Sequence, residues 1–343
     1  MTTTTLITCK KDYEKILARE ISLYDINFLN KCHGGILAQW QNQILFKQCE
    51  IPLRNLCFAR QVLENPVFVC ATSVNSLTEK LINLFIAHIG QERIVAPWAR
   101  LFSSSGNEQL AHHAKTVEKN WSNKMLKKMS RIAKLAKKDI PCTPEFSEGF
   151  FVYFTGFNQA FVSFKALCAG QQRMQMDPAA PSRSYLKIEE AFKIFGHQPI
   201  SNDTVIDLGA APGGWSYSAM KRGAYVTAID NGLLKGVARS NKNIYHLKTD
   251  ALKYRYIDRR PADWLLCDII EKPEVILNLL RKWLSQKWCR YFIANIKVGK
   301  NDPILLLRKI RDAKGGLLPH CKILRVKQLY HDREEITLMG QVK

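Results

Sequence analysis

Although ten cysteines are spread along the 343 residues, no two are spaced C-x-x-C. That absence argues against a zinc ribbon and a dithiol redox centre, and predicts buried thiols in a reducing compartment and no metal. No apolar run is long enough to span a bilayer, which removes the membrane as a partner. The opening residues "MTTTTLITCKKDYEK" lack a signal-peptide core, so a cytoplasmic chain is expected. The dinucleotide fingerprint G-x-G-x-x-G is missing, because Ala211 stands where its second glycine would be. A P-loop is missing as well, since Gly214 is followed by Trp215 and Ser216. A nicotinamide oxidoreductase and an NTPase are thereby disfavoured. Acidic residues are scarce: 30 Asp and Glu face 51 Lys and Arg, a formal charge of +21. Residues 1–170 carry a net +8 and residues 171–343 a net +13, so one cationic tail cannot account for the total. A polyanion is the natural partner, nucleic acid before membrane.

What is present is a glycine-rich turn, "VIDLGAAPGGWSY", at residues 205–217. Val205 to Leu208 read as a buried strand and Ser216 as the approach to a helix. Gly209, Ala211, Pro212, Gly213, Gly214 and Trp215 fill the junction, where bare backbone permits tight turns and close approach of a ligand. Ligands of open α/β sheets sit outside the carboxyl ends of the strands, where this turn would lie. Asp230 ends the next strand, 21 positions after Gly209, a spacing that suits acceptance from ribose hydroxyls. Asp250, in "HLKTD", ends the strand-like piece after that and is placed for an adenine amino group. An adenosine without a demanding pyrophosphate fits this set, which points to S-adenosylmethionine. Read alone, the glycines would be only a turn and the acids surface charges; three features in register favour the ligand.

The length suggests two domains. Residues 1–165 mix strand and helix: "TLITC", a helix over "KKDYEKILAREISLY", paired strands "GGILAQW" and "QILFKQ", a helix over "LTEKLINLFIAHIG", and a strand-turn-strand at 151–164. Residues 166–183, with two prolines, read as a linker. From Ser184 to the end helix and strand alternate, as in a doubly wound sheet. Within the first half, "NKMLKKMSRIAKLAKKD" places Lys124, Lys127, Arg131, Lys134 and Lys138 along one helical stripe and Met125, Met129, Ile132 and Ala136 along another. Such a helix can track phosphates or can simply be a solvated face. The charge of the whole chain tips the reading toward binding.

Three acceptors on a nucleic acid compete: a base nitrogen, a base carbon and a ribose hydroxyl. The strand "ADWLLCDIIEKP" lacks the Asn/Asp-Pro-Pro-aromatic motif expected of base-nitrogen chemistry. Cys267 beside Asp268 is a weak candidate for a carbon-methylating nucleophile. Ribose methylation needs a base, and Lys187 in "SRSYLKIEEAF" and Lys297 in "FIANIKVGK" stand at element ends. Lys297 closes an apolar strand, a costly place for a charge without a partner or a function. Glu334 and Glu335 enter the last strand, and alternation points them to opposite faces, so only one can join a cluster. Singly, Lys187 could pair with Glu190 on a helix surface, and Glu334 with any nearby cation.

In this order, Lys187, Asp268, Lys297 and Glu334 resemble the K-D-K-E tetrad of the FtsJ/RrmJ class of ribose 2′-O-methyltransferases. More closely, "APSRSYLKIEEAF", "DLGAAPGGWSY", "AIDNG", "CDIIEKP", "WCR" and "LYHDREE" resemble the bacterial RlmM type. The resemblance is dense from about Ser182 to the end and looser over residues 1–165, where a strand-helix start and "FARQ" match. It implies a C-terminal Rossmann-like methyltransferase sheet, over residues 184–343, and an N-terminal α+β ferredoxin-like/THUMP domain that binds RNA. It implies S-adenosylmethionine as cofactor and a cytidine 2′-hydroxyl in 23S ribosomal RNA as substrate, for a chain acting as a monomer. Ser184, Ala211, Pro212, Gly213 and Gly214 would surround the cofactor, Asp230 take its ribose, Asp250 its adenine side, and Asp268 lie between cofactor and substrate. Lys297 would be the general base. The rival is a non-catalytic RNA-binding ribosome-assembly factor that keeps the cofactor fold; an intact tetrad argues against it.

Overall fold

The computed structural model describes residues 4–24, 36–40, 43–47, 53–90, 93–105, 108–138, 146–168 and 172–343. Residues 34–35 and 48 of the expected strand pair, residue 139 of the basic stretch and 169–171 of the expected linker lie outside them. Contacts divide the chain into two units, 1–169 and 170–343.

In the first unit the described strands are β1 (Thr4–Cys9), β2 (Ile36–Trp40), β3 (Gln43–Lys47), β4 (Ala59–Glu64), β5 (Val67–Cys70), β6 (Trp98–Ser104), β7 (Ala136–Lys137), β8 (Ser147–Gly156) and β9 (Gln159–Cys168). Their order is β2-β3-β1-β4-β9-β8-β6-β7, with β5 also on β9. The helices are α1 (Glu14–Ile21), α2 (Val74–Ile89), α3 (Glu108–Lys128) and α4 (Ser130–Leu135). Helix α2 begins where Ser73 accepts from the Ser76 amide, ahead of the start expected at Leu77, and ends at Gly90 as expected. Its buried stripe, with Phe85 at the centre, packs on Trp121 of α3 and Phe150 of β8. The unit is therefore mixed α/β, with residues 166–168 completing β9.

The basic stretch does not form one helix. Helix α3 stops at Lys128, Met129 leaves helical geometry at φ −144°, and α4 runs only to Leu135 before β7. Lys124 and Lys128 bond to Glu79, and Lys138 pairs with Glu118. Exposed Lys127, Arg131 and Lys134 remain of the expected stripe.

The second unit holds α5 (Tyr185–Phe195), β10 (Thr204–Leu208), α6 (Gly214–Lys221), β11 (Tyr225–Ile229), α7 (Gly236–Ser240), β12 (Ile244–Leu247), β13 (Ala262–Cys267), α8 (Pro273–Ser285), β14 (Cys289–Lys297), α9 (Pro303–Arg311), β15 (Cys321–Lys327) and β16 (Glu335–Val342). The sheet runs β12-β11-β10-β13-β14-β16-β15. Strands β10 to β14 are mutually parallel, and β16 enters antiparallel between β14 and β15. Helices on its faces explain the continuous apolar runs of β10, β13 and β14, since strands covered on both sides need no alternation. Trp264 of β13 is fully buried, stacked on Tyr291 and edge-on to Phe192. Full burial of such a ring contributes about 1.5–3 kcal/mol, which fixes α5 over the sheet.

Residues 172–183 belong to this unit. The Gln172 amide donates to Glu190, the Met174 amide to His331 Nε2, and Asp177 accepts from Tyr217 and Lys221. Glu190 is wholly buried and also takes the amides of Tyr330 and His331, so it staples two segments rather than pairing with Lys187 on a helix surface. Burial pushes its carboxyl up to about 8 against those hydrogen bonds.

Candidate functional site

Every parallel strand ends on one edge, and register aligns the ends. Leu208 pairs with Cys267, Cys267 with Ala294, and Lys297 with Glu335 across β14 and β16. Asp268 just after β13, Lys297 at the end of β14 and Glu335 at the start of antiparallel β16 therefore lie on this edge, and the first turn of α5 carries Lys187, which reaches Glu335.

Lys187 Nζ donates to Glu335 Oε2, both side chains largely withdrawn from water. Burial opposes the charge of Lys187, but Asp268 and Glu335 outweigh it, so its pKa is raised above the ordinary lysine value. It is a fixed cation. The pKa of Asp268 is raised by burial and by the charge of Glu335, against the pull of Lys187, of a 3.0 Å hydrogen bond from Asn295 Nδ2 and of the charge of Lys297. Behind them a buried polar row continues inward: Thr337 Oγ1 lies 2.7 Å from Asn295 Oδ1 and 3.0 Å from Asp332 Oδ2. Asp332 Oδ2 also accepts from the Leu329 amide at 2.9 Å.

Glu334 is the residue the structure moves out of the cluster. It is exposed, and its carbonyl accepts from the Val298 amide, while Glu335 is 9% exposed and faces Lys187. The alternation expected at the strand entry holds, and the inward glutamate is the second of the two. Cys267 is fully buried and its thiol is pushed by burial up to about 12, so it cannot serve as an exposed nucleophile.

The glycine turn divides into two parts. Gly209, at φ +78°, passes so close to β13 that a Cβ would meet Ile269 at 2.9 Å and the Asp268 backbone at 3.1 Å. Gly213, at φ +110°, caps α6, and its Cβ would strike Ala238 at 2.5 Å. A Cβ on Gly214 would meet the Ser182 and Ser184 hydroxyls at 2.5 Å. At Gly213 and Gly214 the missing side chain serves packing against Ala238, Ser182 and Ser184. The Trp215 side chain is 2% exposed in the core, its indole N–H donating to the Ser184 carbonyl. Gly209, Ala211 and Pro212 remain partly open on the rim.

Asp230 is set against this rim. Its Oδ2 accepts from the Ala211 amide at 2.9 Å and its Oδ1 from the Gly232 amide at 2.7 Å. Two backbone donors fix the carboxylate and leave a lone pair on each oxygen for hydroxyl groups. Asp250, after β12, accepts from the Leu252 amide and stays partly open. Ser184 precedes α5, its hydroxyl 2.7 Å from that of Ser182. A half-open carboxylate beside open backbone, with hydroxyls at a helix start, suits an adenosine bearing an amino-acid tail. Beneath the turn, wholly buried Asp207 accepts from Ser216 at 2.5 Å, and burial pushes it up to about 7. Among the described residues no His, Cys, Asp and Glu gather as a metal site would require, and no helix is long and apolar enough to cross a membrane.

Sequence order places Glu334 rather than Glu335 in the tetrad, and it does not single out Asn295, Thr337, Asp332 or Asp207 as site residues. The available signal was polarity inside apolar strands: Asn295 in "FIANIK", Thr337 in "EITLMG" and Asp207 in "VIDL".

Residues 180–297 match the family described as FtsJ-like methyltransferase. Ribosomal RNA large subunit methyltransferase M of Halorhodospira halophila is 40% identical over 178 residues, 50% of this chain and 50% of that one. The protein of that name from Actinobacillus succinogenes is 37% identical over 178 residues, 49% of each chain. That from Thauera aminoaromatica is 38% identical over 184 residues, 51% of this chain and 50% of the other. In these matches the chain spans about half the length of the curated relatives.

Proposed function

For a chain whose residues 180–297 match the FtsJ-like methyltransferase family, we propose S-adenosylmethionine-dependent methylation of a cytidine 2′-hydroxyl in 23S ribosomal RNA. The observation that carries the reading is the buried Lys187–Glu335 pair beside Asp268, with Lys297 on the adjoining strand end. A ribose hydroxyl is a very weak acid, and the groups it needs are a proton acceptor and fixed donors that hold its oxygen. Lys187, locked as a cation, is suited to hold the oxygen and unsuited to take its proton. Lys297 is the remaining amine, and we assign it the general-base role. Asp268 orients both lysines, and Glu335 takes the place in the tetrad that sequence order gave to Glu334.

Asp230 would hold the cofactor's ribose, Asp250 its adenine side, and Gly209, Ala211 and Pro212 would line it with backbone. Ser184 would meet its carboxylate, at a helix start where anions are favoured. When bound, S-adenosylmethionine supplies a methyl group on cationic sulfur. The residues then have to align oxygen, methyl and sulfur and exclude competing water, a task of positioning. The name shared by the relatives in the preceding comparisons supports large-subunit ribosomal RNA as the substrate class. For the first unit we propose an RNA-binding THUMP/ferredoxin-like role, supported by its basic excess and by the exposed Lys127, Arg131 and Lys134.

Mass mapping of ribosomal RNA from cells with and without this protein tests the proposal. One ribose methyl on a cytidine of 23S RNA should vanish with the protein. A lost base methyl, or an unchanged map, would overturn it.

A further inference from the structure

The row Asp268–Asn295–Thr337–Asp332 joins two carboxyl groups by three short links, at 3.0, 2.7 and 3.0 Å. Each link needs one hydrogen, and the middle groups do not supply three. The Asn295 amide nitrogen faces Asp268, so its oxygen, facing Thr337, can only accept. The single hydroxyl hydrogen of Thr337 must then point at Asn295. The link from Thr337 to Asp332 is left without a hydrogen unless Asp332 carries one. Turning the Asn295 amide over reverses every arrow and moves the requirement to the other end, so that Asp268 must be protonated. The row therefore holds one proton, on one carboxyl or the other.

The unpartnered oxygen of one carboxyl places it on Asp332. At Asp268 burial and the charge of Glu335 raise the pKa, while Lys187, the Asn295 hydrogen bond and Lys297 favour the ionised form. Asp332 Oδ1 is buried with no hydrogen-bond partner. A bare oxygen of that kind is costly on a carboxylate and far less so as the carbonyl of a neutral acid. Among the charged groups bearing on Asp332, Lys187 of α5 favours its ionised form, and Glu335 of β16 and Glu190 of α5 favour the neutral one.

We propose that Asp332 is a positioning residue which holds the row's single proton and, through Thr337 and Asn295, keeps Asp268 ionised and aimed at Lys187. Burial pushing Asp332 up to about 7 agrees with a neutral acid there. The inference rests on the proposed methyl transfer for its consequence, but the location of the proton does not.

Infrared difference spectra of the full chain at pH 6, wild type against Asp332→Asn, read the proton directly. Loss of a neutral carboxylic-acid carbonyl band is expected. Loss of carboxylate bands alone would overturn the proposal. The second arm is single-turnover methyl transfer at saturating cofactor and RNA. Thr337→Val keeps the shape and removes the hydroxyl, and should slow transfer by on the order of 10-fold, the scale of one lost buried hydrogen bond. Cofactor affinity should stay within about twofold, and Thr337→Ser, which restores the hydroxyl, should recover most of the rate. A Thr337→Val enzyme with the wild-type rate would overturn the positioning role. If the wild-type chain transfers no methyl group to ribosomal RNA, the proposed function fails, and the infrared arm alone judges the proton's place.

Discussion

Lys124 in the first unit and Lys187 in the second are both held by a glutamate, and the settings differ in what the pair can do. The Lys124 and Glu79 side chains are 35% and 42% exposed, and Lys128 reaches the same carboxylate. Water and salt screen such a pair, and either lysine can stand in for the other. The Lys187 and Glu335 side chains are 16% and 11% exposed, with Asp268 beside them. There a charge removed is not replaced by solvent, and its partner is left buried and unpaired. The same residue types thus make a tolerant surface in one unit and an intolerant centre in the other.

The sharpest way to break that contrast is to remove one charge from each of two adjacent glutamates. Glu335→Gln should slow single-turnover methylation by on the order of 10²-fold, the scale of a positioned catalytic group. Glu334→Gln should leave the rate within about twofold, as surface changes do. Equal losses in the two variants would restore Glu334 to the site.

A smaller effect concerns the buried acid under the turn. Asp207 has its folded-state pKa raised from 3.8 to about 7 by burial. The stability this contributes is fully present below about 4 and is lost as pH rises through about 7. Asp207→Asn should therefore gain on wild type across that window, by a few degrees in Tm. Parallel melting curves from pH 4 to pH 8 would disprove the assignment. The smallest effect belongs to the first unit. Lys127→Ala, Arg131→Ala and Lys134→Ala together should weaken RNA binding several-fold and flatten its salt dependence, by about one released counterion for each cation removed. The transfer rate at saturating RNA should not change, and a large rate loss would contradict the division between the units.

How far the sequence reached follows the same line. Lys187, Asp268 and Lys297 could be named because each stands at a boundary of an element that apolar periodicity makes visible, Lys187 at a helix start and the other two at strand ends. The choice between Glu334 and Glu335 was hidden: alternation separates the two faces, but which face is inward depends on pairing with Lys297 across β14 and β16. Nothing local shows that Ala238, Ser182 and Ser184 close over the side-chain positions of Gly213 and Gly214. The break at Met129 carries neither proline nor glycine, so the basic stretch reads as one helix although one helix ends at Lys128 and the next begins at Ser130. Asn295, Thr337 and Asp332 meet only through three separate segments.

The central claim is that Lys297 takes the proton at this site. Its most direct test is single-turnover methylation of ribosomal RNA by Lys297→Met at saturating RNA and S-adenosylmethionine, with cofactor affinity measured by calorimetry. The rate should fall by on the order of 10²-fold or more at unchanged cofactor affinity. A Lys297→Met enzyme that keeps the wild-type rate, or one whose rate loss is matched by an equal loss of cofactor binding, would contradict the claim.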